Sequence, residues 1–341
     1  MANDDNNNGN NGGNSSQVLL LILVLTSMIG GILSPSIGRL FLPYLLVWLG
    51  ILLFLNLIKL ELADLVSAFV KPLRIIILSI MKIAVIPLAL YAATNTFYPS
   101  ESLSVLLLSG ISTGLGAPFV INFVGGRVGR KRLHLVVAMI IITSLLVPFT
   151  LPSLVYWLFS RHFSIPLSNM ITLLSVALFV PLGLGWLTKR YLPKVAMSID
   201  KRSSPLSMII IALINFGMFA RFSSYFYKDI SFVIITILLS SLFFVIYGLA
   251  GYSIERVLIF IINYKKRSST IIDTSNNIKH DFVSSFVSMS YINNILVAVF
   301  ADQFFGPKVA ALAAFYNIPY YIGIFYLKKA QMKSVKESGD K

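Results

Sequence analysis

Between residues 17 and 327 the chain is a succession of apolar segments, each close to twenty residues long. A bilayer core about 30 Å thick is crossed by about 20 helical residues. The segments fall near 17–33, 40–58, 72–97, 103–125, 133–159, 168–188, 206–227, 231–253, 282–301 and 308–327. Composition supports the same reading. Only 12% of the 341 residues are charged and the mean hydropathy is +0.83, whereas soluble domains carry roughly 25% charged residues. The expectation is an all-α membrane protein of ten transmembrane helices with the lipid bilayer as its solvent.

The charges follow the segments. Of the 28 Lys and Arg, most fall after the second, fourth, sixth and eighth segments and in the tail 328–341. Arg127, Arg130, Lys131 and Arg132 make one such cluster, and Lys265, Lys266 and Arg267 another. Cytoplasmic loops carry this excess, so both termini are expected in the cytoplasm and the protein in the cell membrane. In that setting the net charge of +15 reports membrane orientation and not a nucleic-acid partner. Residues 1–16 form an Asn/Gly-rich tail too polar to build a core, expected to be disordered. Residues 254–281 form the longest polar connection, read as a cytoplasmic loop. Its opening run Val257–Ile262 is too short to span and suits the membrane interface. The chain has no cysteine, three histidines and no HExxH spacing, which leaves no metal site, no cofactor and no enzyme chemistry to expect.

One segment is built against its own helix. Ser109–Gly126 holds Gly110, Gly114, Gly116, Gly125, Gly126 and Pro118 among its apolar residues. Glycine weakens a helix, and proline removes a backbone donor. A break in hydrocarbon survives only where protein or a wet cavity covers it. Two readings stay open: a binding site at a discontinuous helix, or close helix packing through small residues. The ninth segment carries a comparable run, Ser284, Ser285, Ser288, Ser290, Asn293 and Asn294, without glycine or proline. With Arg74, Arg221 and Lys308 near segment ends counted with the loops, the one charge left inside a segment is Lys82. It lies eight residues, roughly 12 Å of helix, beyond Arg74. Such a charge faces the bundle interior, or it snorkels to the interface.

Ten spans divide as five plus five, and an odd number per half inverts the second half relative to the first. That is the inverted repeat of many secondary transporters, with broken, crossing helices four and nine. Further stretches carry a likeness to a known family. They are Lys71–Arg74 through Met81–Pro87, Pro99–Glu101, Ser144–Pro152, and Phe304–Pro307 followed by Val309–Leu312. Over residues 40–327 the chain resembles the bile acid:sodium symporter family, within the bile/arsenite/riboflavin-type transporters. The resemblance implies two units. One is a panel of about 17–58 and 168–227, and the other a core of about 72–159 and 231–327.

The departures from that family carry more than the matches. Its sodium-using members hold the ion with polar side chains at the crossing of helices four and nine. Their fourth-helix Ser-Asn pair falls here on Pro118-Phe119, or on Ile121-Asn122 with the pairing shifted. Their ninth-helix Glu falls on Phe286 and the Gln-Asn on Ser290-Tyr291. Their fifth-helix hydroxyls fall near Val136 and Ile140, and the third-helix Gln on Lys82. No Asp or Glu lies within the ten segments, so the sodium sites are read as lost. The resemblance then implies a secondary transporter of a small organic anion, independent of sodium. Its site would draw on Lys82, Gly114, Gly116, Pro118, Phe119, Asn122, Phe286, Ser288, Ser290, Tyr291 and Asn294. The alternative is a non-transporting sensor or assembly subunit. A polar cavity that reaches Lys82 favours transport, and a crossing plugged by Phe119 and Phe286 favours the alternative.

Overall fold

The computed structural model describes residues 8–58, 72–114, 116–125, 129–161, 164–267 and 282–339. The described residues are helical nearly throughout. Their one β-type pairing is an isolated antiparallel bridge between Thr113 and Ile292. Seven helices among them are long and apolar enough to cross a membrane.

Helix α1 is Asn8–Leu33. A proline-led turn, Pro35–Gly38, and a 3-10 stretch, Arg39–Tyr44, deliver the chain into α2, Leu45–Leu57. Next come α3 (Pro72–Ile80), a π-helical turn (Met81–Val85) and α4 (Ile86–Phe97), which run on as one apolar rod. Pro87 explains the π turn. It cannot donate to the carbonyl four residues back, at Ile83, and its ring crowds that carbonyl. The widened turn holds Lys82.

After the turn Pro99–Glu101, α5 (Ser102–Ser109) stops at Gly110 and α6 (Ala117–Gly125) begins beyond the glycines. Four long helices follow: α7 (Gly129–Phe159), α8 (Leu167–Tyr191), α9 (Pro193–Lys228) and α10 (Ile230–Arg267). Helices α11 (Phe282–Ser290) and α12 (Asn294–Phe305) are separated by a second break. Gly306, at φ 86°, turns the chain into α13 (Pro307–Phe315), and that left-handed geometry is open to glycine at little cost. Helix α14 (Asn317–Gly339) completes the described chain.

Three expectations need correction. Helix α1 begins at Asn8, inside the tail read as disordered, because an established helix propagates at small cost into adjoining polar residues. The run Val257–Ile262 is not a separate interfacial piece; it is the last part of α10. A carboxylate does lie within a membrane-length helix, since Glu255 on α10 is buried. Arg74 on α3 makes this tolerable. Its Nε donates to Glu255 Oε2 at 2.9 Å, and Ser285 Oγ on α11 donates to the same oxygen at 3.0 Å. A buried carboxylate keeps its charge only with such partners.

Packing sorts the helices into two groups. Helices α1, α2, α8 and α9 lie mainly on one another, while α3–α7 and α10–α14 form the second group around the two breaks. Outward-facing leucines such as Leu184, Leu238 and Leu249 are each more than half exposed. Apolar surface of that extent is what a bilayer covers.

Candidate functional site

The two breaks meet. Gly114 N–H donates to the Tyr291 carbonyl at 2.7 Å, and Asn293 N–H donates to the Ser112 carbonyl at 2.9 Å. Glycine is required at 114 because a Cβ there would sit 2.5 Å from the Ile292 carbonyl oxygen. A third strut comes from α7. The Thr143 hydroxyl accepts from Thr113 N–H at 3.1 Å.

The last carbonyls of α11 have no intrahelical donors, as at any helix C-terminus. Donors from the π turn, the first break and the junction of α13 with α14 take them up, together with the carbonyl of Tyr291 just beyond the helix. Thr113 Oγ1 donates to Ser288 O at 2.7 Å, and Lys82 Nζ donates to Met289 O at 2.7 Å. Tyr316 OH donates to Ser290 O at 2.7 Å, and Gly114 N–H takes Tyr291 O. Lys82 is wholly buried, with the Tyr247 ring 5.6 Å from its Nζ. A cation at this point is favoured by the negative end of the helix dipole and by the ring face.

On another side of the crossing lies a cavity of about 130 Å³. Gly114, Gly116, Ile292, Asn293 and Asn294 contribute from the breaks, and Asn317, Tyr320 and Tyr321 from α14. Leu49, Leu52, Leu53 and Asn56 of α2 and Ser204, Met208 and Ile211 of α9 close it from the first helix group. Among the described residues no charged side chain lines it. Gly116, just before α6, and Asn294 and Ile295, the first residues of α12, adjoin it, so the starts of two helices, the positive ends of their dipoles, lie beside the cavity. Asn293, 7% exposed, spends its Oδ1 on capping Leu296 N–H at 3.4 Å, while its buried Nδ2 has no partner among the described residues. Asn294 Nδ2 donates to Asn317 Oδ1 at 2.8 Å, and Asn317 Nδ2 donates to Asn215 Oδ1 at 2.9 Å. This amide chain joins the two helix groups beside the cavity. A larger groove of about 590 Å³ between α2, α8 and α12 is lined mostly by apolar side chains.

A model of the sodium bile acid symporter family matches residues 46–229, more than half of the chain. The chain belongs to the sodium bile acid symporter family. The matched residues run from α2 through α9 and take in the first break and Lys82. A comparison with curated proteins found no match. Membership in the sodium bile acid symporter family, with the apolar helices, supports an integral membrane transporter.

The site residues read from the sequence divide between two places. Gly114, Gly116 and Asn294 line the cavity. Pro118 is the second residue of α6, where its missing N–H costs no helix bond. Lys82, Ser288, Ser290 and Tyr291 gather instead around the end of α11. Lys82 bonds Met289 O and not the carbonyls of the first break, where Ser112 O, Gly114 O and Gly116 O already accept from the N–H groups of Asn293, Ala117 and Val120. Phe286 is half-buried against Gly248 and Phe244, away from the cavity. The side chains of Phe119 and Asn122 lie outside the described residues, and with them any plug by Phe119. Thr143 was missed, although it follows the buried pair Val136 and Ile140 on the same helical face. Tyr316 and Tyr320 were missed because nothing local marks a tyrosine as belonging to a break two helices away.

Proposed function

We propose that this chain is a secondary transporter of a small organic anion, working by alternating access without sodium. In this reading ten spans form a five-plus-five inverted repeat, with both termini cytoplasmic in the cell membrane. The panel is α1, α2, α8 and α9, and the core is the remaining helices. The solute binds in the cavity at the crossing and the core moves against the panel around it.

The observation that carries the reading is the cavity itself. It sits between the two helix groups, at the two breaks, beside the starts of α6 and α12. Helix N-termini favour an anion, and the unpartnered Asn293 amide N–H adds a donor. Its volume of about 130 Å³ lies below the 300–1,000 Å³ of drug-sized sites, which favours a solute of few heavy atoms. Sodium independence rests on Lys82, whose ammonium already occupies the end of α11 where half-helix carbonyls would otherwise take up a cation.

The test is thermal stabilisation of the purified protein by small carboxylates and by their neutral amides, followed by uptake into proteoliposomes. Asn293→Asp keeps the cap on Leu296 and turns a donor into a negative charge. It should abolish stabilisation by carboxylates, measured as the shift from the melting temperature of the free variant. Equal stabilisation by the neutral amides, unaffected by Asn293→Asp, would overturn the anion assignment.

One observation favours the second reading, a non-transporting sensor or assembly subunit. Lys82 is sealed away from the cavity and is absent from its lining. Binding of carboxylates without any uptake into proteoliposomes is the result that reading requires.

A further inference from the structure

The boundary between the two helix groups differs at its two ends. At one end, where α2 finishes and α9 begins, the cavity separates the groups, between Asn56 and Ser204 on one side and Asn293 and Asn294 on the other. At the other end the boundary is packed. Phe315, the last residue of α13, is buried among three rings of α9. Its ring centroid lies 5.3 Å from Phe219, 6.0 Å from Phe222 and 5.7 Å from Phe226. Beside this seal, Arg221 Nε of α9 donates to Asp302 Oδ1 of α12 at 3.2 Å. Arg221 lies ten residues past Ile211, about 15 Å further along α9. Asp302 lies eight residues past Asn294, about 12 Å along α12.

We propose that Arg221 and Asp302 form a latch across the domain boundary. It holds the end away from the cavity closed, and it parts when the transporter opens to that side. The latch rests on the alternating-access reading above, but its test needs no solute. Phe315 is carried by the core and its three partners by the panel. Rigid movement of one group against the other that opens the ring cluster must also draw the guanidinium from the carboxylate. The pair is partly exposed, at 42% and 26% for the two side chains, so it is a weak catch that substrate binding can overcome. A strong lock would trap one state. An exposed pair biases the equilibrium by roughly two- to fivefold and is weakened by salt.

The absence of cysteine allows single thiols to be placed without background. Ser223→Cys reports the sealed end, since Ser223 is buried on α9 between Arg221 and Phe226. Ser204→Cys reports the cavity end. Labelling of both by a hydrophilic maleimide is followed in Asp302→Asn and in the charge swap Arg221→Asp with Asp302→Arg. The latch predicts that Asp302→Asn raises labelling at 223 by about two- to fivefold and lowers it at 204. The swap should return both to the rates of the parent. Raising salt should mimic Asp302→Asn in the parent and do nothing further in that variant. Labelling that rises at both positions would mean that the pair only holds the local structure together. Labelling at 223 that ignores Asp302→Asn would overturn the latch, whatever solute the cavity binds.

Discussion

Replacing Gly114 with alanine adds one methyl group at the tightest point of the crossing. The new Cβ would lie 2.5 Å from the Ile292 carbonyl oxygen and 2.8 Å from its carbon. Both atoms are backbone and cannot rotate aside. Ordinary contact begins near 3.4 Å, so the breaks must part by about 0.9 Å. The Gly114–Tyr291 bond, now 2.7 Å, would then stretch beyond hydrogen-bonding range. Overpacking of this kind costs about 1–3 kcal/mol, and a buried group left unpaired costs a further 1–3 kcal/mol or so. The sum, about 2–6 kcal/mol, should lower the melting temperature by several degrees. Gly183→Ala is the matched control. It lies within α8 with no atom within 4 Å of the added methyl, and helix propensity predicts a gain of about 0.5–1 kcal/mol. Thermal unfolding in detergent, followed by circular dichroism, compares the two. A Gly114→Ala protein as stable as its parent would refute the close approach on which the site is built.

Lys82→Met removes the donor to Met289 O inside a dry interior. A buried carbonyl left without its donor costs about 1–3 kcal/mol, so the melting temperature should fall. An unchanged melt would show that the ammonium does not hold the end of α11. Thiols at 130, 198 and 270 should be labelled only from the cytoplasm, and thiols at 100, 163 and 228 only from outside. Labelling of 100 and 130 from the same side contradicts the ten-span topology. Outside the spans, burial pushes the Glu101 carboxyl above its usual range, although Ser104 and Lys308 pull it down. The folded state therefore favours the protonated form, and that contribution is lost as pH rises above about 4.5 through the folded value. Unfolding of Glu101→Gln against its parent across that range should show the parent losing ground with rising pH; a constant difference contradicts it.

The parts of this architecture that proline, glycine and hydropathy control were legible in the sequence. The glycines from Gly110 to Gly116 marked the first break, whereas Pro87 was read only as part of the family likeness and its effect on the turn at Lys82 came from the structure. The serine and asparagine run marked the second break, which Asn293 makes by capping α12. What stayed hidden depends on backbone acceptors and distant partners. A carbonyl such as Met289 O has no residue type to betray it, so the acceptor of Lys82 stayed unseen. Glu255 was left outside its span because its partner Arg74 lies 181 residues away. Asn294 was read as a site residue, but nothing local marked Asn215 and Asn317 as its partners. Only the packing of α9, α12 and α14 assembles them into a chain.

The account turns on the ammonium of Lys82 standing where a transported cation would otherwise bind. Melting of the purified protein in rising sodium chloride, against equal potassium or choline chloride, tests this directly. A ligand at one hundred times its dissociation constant stabilises by about 2.7 kcal/mol, well within reach of such a melt. The account predicts superimposable curves in the three salts. A rise specific to sodium that saturates with concentration would contradict it.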